Sequence, residues 1–227
     1  MIIRRDEPDG GHTYWSGEEQ WPGITTVLSG LGYNGRGQDF YTPESRQKGT
    51  GVHNACLLAD QLVPDAKRIE EVLEVIDMHP ALVPHVQGWM LFKKEKHYTP
   101  IGWEKSFAID DLKVCGTPDN WGYTDSGIFT LPDLKSWKSR GATPTRASEL
   151  QTAGYEIMLR QAKIVIDGAK VQRYIVKLPG NGKYRAYLCE KPLDQMYVHH
   201  ACTVWWDLRN HRLMGIPEEA DNAAAIE

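Results

Sequence analysis

The chain has 227 residues, of which 41% are hydrophobic and 25% charged, and its formal net charge is −4. These totals allow one substantial core, and no apolar run approaches the roughly 18 residues expected of a membrane-spanning helix. The N-terminal residues lack the apolar segment typical of a secretory signal. The cysteines are widely spaced, at Cys56, Cys115, Cys189 and Cys202. We therefore expect a cytoplasmic protein without a membrane partner, with reduced and mostly buried thiols.

The charges are unevenly distributed along the chain. The stretch from Lys135 to Lys191 contains seven lysines, five arginines and four acidic residues, a local excess of eight positive charges. Such asymmetry is typical of a protein with one basic working face. The alternative is that solvated helix faces in this stretch are basic without a functional reason.

The first hundred residues are predicted to be mainly helical. Residues 1–45, rich in glycine, proline, tyrosine and tryptophan, indicate a loop-rich arm with one short helix near 24–31. Apolar residues at helical spacing then predict helices over 45–63, 66–78 and 85–98.

The pattern changes to alternation at Ile101, which is typical of strands. In order, the predicted elements are a hairpin of about 103–109 and 113–122, a strand over 127–137, a helix over 146–164, strands over 171–179 and 183–190 joined by a Gly-Asn-Gly turn, and a helix over 192–212. Pro132 indicates an edge position or a bulge in the 127–137 strand. Thr145 or Ser148 is expected to cap the helix that follows.

This order of elements predicts an α/β fold, in which helices flank a mixed sheet of about five strands. No internal repeat or linker divides the chain, so we expect a single domain over residues 1–227. Within it, residues 46–98 form a helical part, residues 101–212 an α/β core and residues 213–227 a flexible tail.

Two acidic residues and a lysine give the 116–138 stretch a possible chemical role. The pattern Asp-x-Lys alone is weak evidence, because it also occurs at 65–67, where a helix begins, and at 111–113, in a predicted turn. In Asp133-Leu134-Lys135, however, the pattern ends an apolar strand, so the two charged side chains share one face. Asp119 lies about one strand earlier. Two carboxylates and the carbonyl of Leu134 would suit Mg²⁺ or Mn²⁺, whereas the alternative is a surface hairpin with a salt bridge.

Further motifs accompany this group in a fixed order. They are Trp21 to Gly32 (WPGITTVLSGLG), Gly49-Thr50-Gly51-Val52-His53, Glu104, Gly116-Thr117-Pro118-Asp119, Asp133-Leu134-Lys135, and Gln151 with Tyr155 four residues later. This series, over about 22–160, resembles the PD-(D/E)xK nuclease superfamily. It is most similar to the RecB-type and phage-type exonuclease branch, which includes the mitochondrial genome maintenance exonuclease. The resemblance implies a restriction-endonuclease-like core.

The resemblance also implies roles for the matching residues. Asp119, Asp133 and the backbone carbonyl of Leu134 would bind the catalytic metal, and His53 would complete its ligands. Lys135 would position the attacking water or stabilise charge on the phosphate. Glu104 would be a second acid of the site or, alternatively, an exposed strand residue. The resemblance assigns catalytic support to one helix face, whose residues are Gln151 and Tyr155.

Residues near the motif are candidates for contacts with nucleic acid. Ser136 stands where related strands often have threonine, and Trp137 would stack on a base or pack internally. The basic residues are Lys138, Arg140 and Arg146, which would guide the DNA backbone or be ordinary surface charge. Some relatives contain an iron–sulfur cluster, but Cys189 and Cys202 are thirteen residues apart with no third cysteine nearby, so we expect no cluster here.

Together these features predict a Mg²⁺- or Mn²⁺-dependent DNA nuclease, and in particular an exonuclease of phage-type recombination, replication or repair. Its expected partners are single- or double-stranded DNA ends and a single-strand-annealing or recombination protein, in the cytoplasm of a viral host. The alternative is a non-catalytic nucleic-acid-binding or assembly protein that retains the nuclease fold.

Overall fold

The computed structural model describes residues 2–6, 12–34, 43–136 and 143–211, with the backbone alone for 43–46. Its strands are β1 (Ile2–Asp6), β2 (His12–Ser16), β3 (Glu19–Trp21), β4 (Tyr98–Trp103), β5 (Phe107–Ile109), β6 (Val114–Gly116), β7 (Asn120–Thr124), β8 (Phe129–Lys135), β9 (Val171–Lys177) and β10 (Arg185–Leu188). Its helices are α1 (Ile24–Gly30), α2 (Pro43–Leu62), α3 (Ile69–Leu73), α4 (Val83–Lys96), α5 (Arg146–Gln161) and α6 (Asp194–Asn210).

A five-stranded mixed sheet forms the centre of the molecule, in the order β10-β9-β8-β7-β4. Strands β8 and β9 are parallel, and the other neighbours are antiparallel. Parallel neighbours require a long crossover connection, and α5 lies in the segment that joins β8 to β9. The predicted α/β class, with helices flanking a mixed sheet of about five strands, is confirmed.

The two faces of this sheet are covered by different helices. Leu131 packs in a core with residues of α1, α5 and α6, whereas Leu134 packs in a second core with residues of α2, α3 and α4. Because side chains alternate along a strand, Asp133 and Lys135 lie on the same face as Leu131, towards α5. Burial of β8 between the two layers explains why Phe129, Leu131 and Leu134 are apolar on both faces of the strand.

Most of the predicted helices are present, with small shifts at their ends. The prediction for 66–78 is too long, because only Ile69–Leu73 is helical. Thr145 is the cap of α5, since its side chain accepts a hydrogen bond from the Ser148 backbone N–H. In the described part of the chain, no helix is long and apolar enough to cross a membrane. The predicted tail at 213–227 lies outside the described residues.

Two strand predictions differ from the structure in ways that matter for the site. The stretch predicted as a loop-rich arm contains an antiparallel sheet of β1, β2 and β3. The predicted hairpin of 103–109 and 113–122 is correct around its turn, where β5 pairs with β6. Its outer parts belong instead to the central sheet, in which β4 pairs with β7. A single alternating pattern cannot show that a chain leaves one sheet and enters another.

The predicted edge or bulge at Pro132 is also wrong, since β8 is the central strand and pairs with β9 from Phe129 to Lys135. On the other side, the pairing of β8 with β7 ends at Thr130. Pro132 therefore lies beyond that ladder, where its missing N–H costs no strand-to-strand hydrogen bond. This early separation of β7 from β8 leaves the backbone of Leu134 accessible to side chains.

Candidate functional site

The peptide groups of Leu134 are bonded by side chains instead of by a neighbouring strand. The Leu134 N–H donates to Asp119 Oδ2 at 2.6 Å, and the Leu134 carbonyl oxygen lies 3.0 Å from His53 Nε2. Asp119 immediately precedes β7, and His53 lies on α2. The gap between β7 and β8 thus brings a carboxylate, an imidazole and a carbonyl oxygen together.

Glu104 completes this group at the end of β4. Oxygen or nitrogen atoms of His53, Glu104 and Asp119 that could bind a metal lie within 4.8 Å of one another. His53 Nδ1 is 3.2 Å from Asp119 Oδ1. We call His53, Glu104, Asp119 and the Leu134 carbonyl the ligand cluster. Among the residues that resemblance to the nuclease family selected, the structure brings these four together.

The sequence around each residue explains its position. On α2, His53 shares one face with Cys56, Leu57 and Asp60, at the spacing of neighbours on a helix, and all four line the same hollow. Glu104 has a φ of 41°, a conformation that non-glycine residues rarely adopt. Its N–H donates to the Asp119 carbonyl at 3.2 Å, so this backbone bond fixes the two acids relative to each other.

Burial and neighbouring charges shift the pKa values of the members of this cluster. Burial lowers the pKa of His53, but the adjacent Asp119 carboxylate outweighs burial and raises that pKa to about 8. Burial and the charge of Asp119 raise the pKa of Glu104 to about 7. For Asp119 itself, burial acts to raise the pKa, but His53 and Lys135 outweigh it and the pKa is lowered. Burial and Asp119 thus favour the protonated carboxyl of Glu104, and Asp119 favours the protonated imidazole of His53.

Asp133 lies outside this ligand cluster and is paired with Lys135. The side chain of Asp133 is buried, and Lys135 Nζ lies 2.9 Å from its Oδ2. Burial, with a contribution from Asp119, raises the pKa of Asp133 to about 6. The expected role of Asp133 as a metal ligand therefore stays a prediction, while its contact with Lys135 is a feature of the structure.

A chain of hydrogen bonds extends from Lys135 to α5. Lys135 Nζ donates to Gln151 Oε1 at 3.4 Å, and Gln151 Nε2 donates to Tyr155 Oη at 2.7 Å. Gln151 and Tyr155 are both buried and lie one helical turn apart, as their four-residue spacing indicates. Gln151 thus contacts the lysine from the α5 side, and the expected role of both residues in catalysis stays a prediction.

The candidate DNA-contacting residues are less well defined. Ser136 directly follows β8, and Trp137, Lys138 and Arg140 lie outside the described residues. Arg146 is bonded to Glu149 at 2.8 Å and to Asp194 at 2.6 Å. Its guanidinium thus joins α5 to α6, and contact with DNA stays a prediction for this residue.

Sequence reasoning missed the contribution of the N-terminal sheet. Arg4 Nη1 lies 3.4 Å from Glu104 Oε2, and Tyr14 Oη lies 3.1 Å from Thr117 Oγ1. The adjacent β-prone residues Thr13, Tyr14 and Trp15 were a signal that could have identified β2. Asp60 was also missed, although it accepts hydrogen bonds from the indoles of Trp89 and Trp103 beside the cluster.

Comparisons with known proteins give little further information. No protein-family model matches the chain, and no curated protein matches it. Among solved structures, it is similar to the one titled "Crystal structure of SSO0001", with 13% sequence identity, coverage of 70% of this chain and 74% of that one, and a TM-score of 0.37. A likeness this weak supports no inference about the site.

Proposed function

We propose that this chain is a divalent-metal-dependent nuclease that hydrolyses phosphodiester bonds in DNA, on a restriction-endonuclease-like core. The observation that supports this most strongly is the ligand cluster at the end of β8, where His53, Glu104 and Asp119 meet within 4.8 Å. Lys135 follows one residue after the Leu134 carbonyl. A cation site beside a lysine is the arrangement that phosphoryl transfer needs.

The donor atoms fit Mg²⁺ or Mn²⁺. Carboxylate and carbonyl oxygens suit both ions, and one imidazole nitrogen is also acceptable to Mn²⁺. The raised pKa of Glu104, about 7, arises first from burial and then from the charge of Asp119, and a bound cation would favour the ionised carboxylate. A bound ion would polarise a phosphoryl oxygen and lower the pKa of a coordinated water.

The protein's own residues would hold and orient the reacting groups. Asp133 and Gln151 keep the Lys135 ammonium at the end of β8, where it would donate a hydrogen bond to the charge that develops on the phosphate. Tyr155 fixes the Gln151 amide. Asp133 remains a proposed ligand as well, because a carboxylate has two oxygens and several lone pairs.

The proposal that the substrate is DNA, and that the enzyme acts at DNA ends, rests on the resemblance of the motifs to phage-type recombination and repair exonucleases. The stretch from Lys135 to Lys191 has an excess of eight positive charges, although Arg146, Arg173 and Lys191 are paired with acids. Its support for an anionic polymer as the substrate comes from the basic residues outside these pairs. A recombination partner protein and a viral host cytoplasm are proposed on the same resemblance.

The direct test uses 5′- and 3′-labelled single- and double-stranded DNA, together with circular DNA, in Mg²⁺, Mn²⁺ or EDTA. We expect degradation of linear DNA with metal and none in EDTA. The chain offers a matched control, since Asp111-Leu112-Lys113 repeats the same three residues in a turn. Asp133→Asn and Lys135→Ala should abolish cleavage, whereas Asp111→Asn and Lys113→Ala should leave it intact.

The outcomes separate the two classes of function. A purified protein that binds DNA but cleaves no substrate with either metal would contradict the nuclease proposal and favour the non-catalytic binding protein. Cleavage that survives Lys135→Ala unchanged would contradict the proposed site.

A further inference from the structure

The N-terminal sheet is anchored to the segment that contains Asp119. Tyr14, which is buried, contacts Thr117 through its hydroxyl at 3.1 Å, and Thr117 is two residues before Asp119. The bridge between Gly23 and Cys115 connects the same two regions of the chain. The sheet is therefore held in place beside the ligand cluster.

This anchoring places one arginine at the edge of the cluster. Arg4 pairs with Tyr14 in the β1–β2 register. Its Nε donates to Asp6 Oδ1 at 2.9 Å, and its Nη1 lies 3.4 Å from Glu104 Oε2. The Arg4 side chain is 31% exposed, so its guanidinium is oriented by two carboxylates and still accessible from solvent.

We propose that Arg4 binds a phosphate group of the DNA substrate, an inference that rests on the proposed nuclease function. A cation bound by Glu104 would draw on the charge of that carboxylate and weaken its attraction for Arg4. The guanidinium would then lie beside the metal site, where its N–H groups could donate to a phosphate oxygen of the substrate. Guanidinium groups bind phosphate oxygens in pairs, which a lysine ammonium does not reproduce.

A purely structural role for Arg4 makes a different prediction. If Arg4 served only to attach β1 to the end of β4, its loss would lower stability and disturb the position of Glu104, so metal binding would weaken. If Arg4 binds substrate, its loss removes a positive charge beside a cation site. Metal affinity should then stay equal or rise while DNA binding weakens.

The neighbouring residue provides a matched control. Arg5 lies on the opposite face of β1, and its guanidinium carbon is 4.6 Å from the centre of the Trp15 ring. Arg5→Gln therefore removes the same charge from the same strand without touching the ligand cluster.

The experiment compares wild type, Arg4→Gln, Arg4→Lys and Arg5→Gln. KM and kcat are measured for labelled double-stranded DNA with Mn²⁺, and DNA affinity is measured by fluorescence anisotropy with Ca²⁺ in place of the catalytic ion. We expect Arg4→Gln to raise KM and the DNA Kd by about tenfold or more, with Mn²⁺ affinity equal or tighter. Arg4→Lys should raise both by about fivefold, and Arg5→Gln should stay within about twofold of wild type.

Equal DNA affinities for Arg4→Gln and Arg5→Gln would overturn the proposal for Arg4, whether or not the wild type cleaves DNA. Failure of the wild type to cleave would overturn the proposed nuclease function without deciding the role of Arg4, which the anisotropy measurement decides. If Arg4→Gln does not fold, Arg4→Lys becomes the deciding variant, and a wild-type Kd in that variant overturns the proposal.

Discussion

Two regions of the molecule bury charged side chains, and the acids of the two regions have different surroundings. One is the ligand cluster with its neighbours Asp133 and Lys135. The other is the set of ion pairs that joins α5, β9 and α6, which we call the ion-pair network; its members are Arg146, Glu149, Glu156, Arg173, Lys191 and Asp194. In the network, Arg173 is buried between Glu156 at 3.2 Å and Asp194 at 3.0 Å. Acids and bases alternate there, so each buried charge has an opposite neighbour.

The pKa values express the difference. For Glu149 in the network, burial acts to raise the pKa, but Lys191 and Arg146 outweigh it and the pKa is lowered. For Asp133 beside the cluster, burial and Asp119 raise the pKa to about 6. In both regions the acids have basic neighbours. In the cluster, however, Glu104 and Asp119 also offer oxygens within 4.8 Å of each other, and this crowding contributes to the raised pKa of Glu104.

The largest effect that separates the two regions is expected from Asp119→Asn. We expect cleavage to fall about a thousandfold or more, because the variant removes a carboxylate of the proposed metal site. Asparagine keeps an oxygen for the Leu134 N–H, so the melting temperature should stay within about 5 °C of wild type. The measurement is single-turnover cleavage beside thermal unfolding. An Asp119→Asn protein with near-normal cleavage would contradict the assignment of this region as the site.

The corresponding change in the network is Arg173→Met. It leaves Glu156 and Asp194 buried without their shared partner, so we expect a loss of about 3–5 kcal/mol in the free energy of unfolding. Urea denaturation gives this value. Arg68→Met is the control, because it breaks a largely exposed pair with Glu71 and should cost less than about 1 kcal/mol. Equal losses for the two variants would show that the network does not stabilise the fold as proposed.

The pH dependence of metal binding should also distinguish the cluster. Without a metal, the cluster binds protons near neutral pH, because the pKa values of His53 and Glu104 are raised to about 8 and about 7. A metal must displace these protons, so apparent Mn²⁺ affinity should increase with pH, by about 500-fold between pH 6 and pH 8. His53→Asn should flatten this dependence. A wild-type affinity that is constant over this range would contradict the proposed ligands.

The smallest effect is expected from Tyr155→Phe. This variant removes the oxygen that accepts a hydrogen bond from Gln151 Nε2 at 2.7 Å, and Gln151 should then hold Lys135 less firmly. We expect kcat to fall about tenfold with KM little changed. Tyr184→Phe is the control, since that hydroxyl donates to Glu95 on the surface. Equal kcat values for the two variants would show that the Tyr155 hydroxyl does not help to position Lys135.

The sequence was sufficient for the elements whose pattern is local. Helix α5, with its cap at Thr145, and the β9–β10 hairpin around Gly180 and Gly182 follow from short-range spacing and turn chemistry. The division of β4 and β5 between two sheets, and the pairing of β1 with β2, depend on contacts distant in sequence. Alternation alone does not specify such partners.

The candidate site shows the same limit. His53 and Asp119 were found through motifs, and Glu104 through its place in the series, although an exposed strand position was an equal alternative until the structure brought it into the cluster. Arg4 lies 100 residues from Glu104 in a stretch predicted as loop, so no spacing could indicate their contact. The pairing of Asp133 with Lys135 depends on how deeply the two side chains are buried. The Asp-x-Lys pattern does not indicate this burial.

The most direct test of the proposed metal site is a calorimetric titration of the metal-free protein with Mn²⁺ at pH 8, for wild type, Asp119→Asn and Asp111→Asn. We expect wild type and Asp111→Asn to bind the ion at the same site with equal affinity, and Asp119→Asn to lose that binding. Binding that is absent in wild type, or unchanged in Asp119→Asn, would contradict the proposal that the ligand cluster is a metal centre.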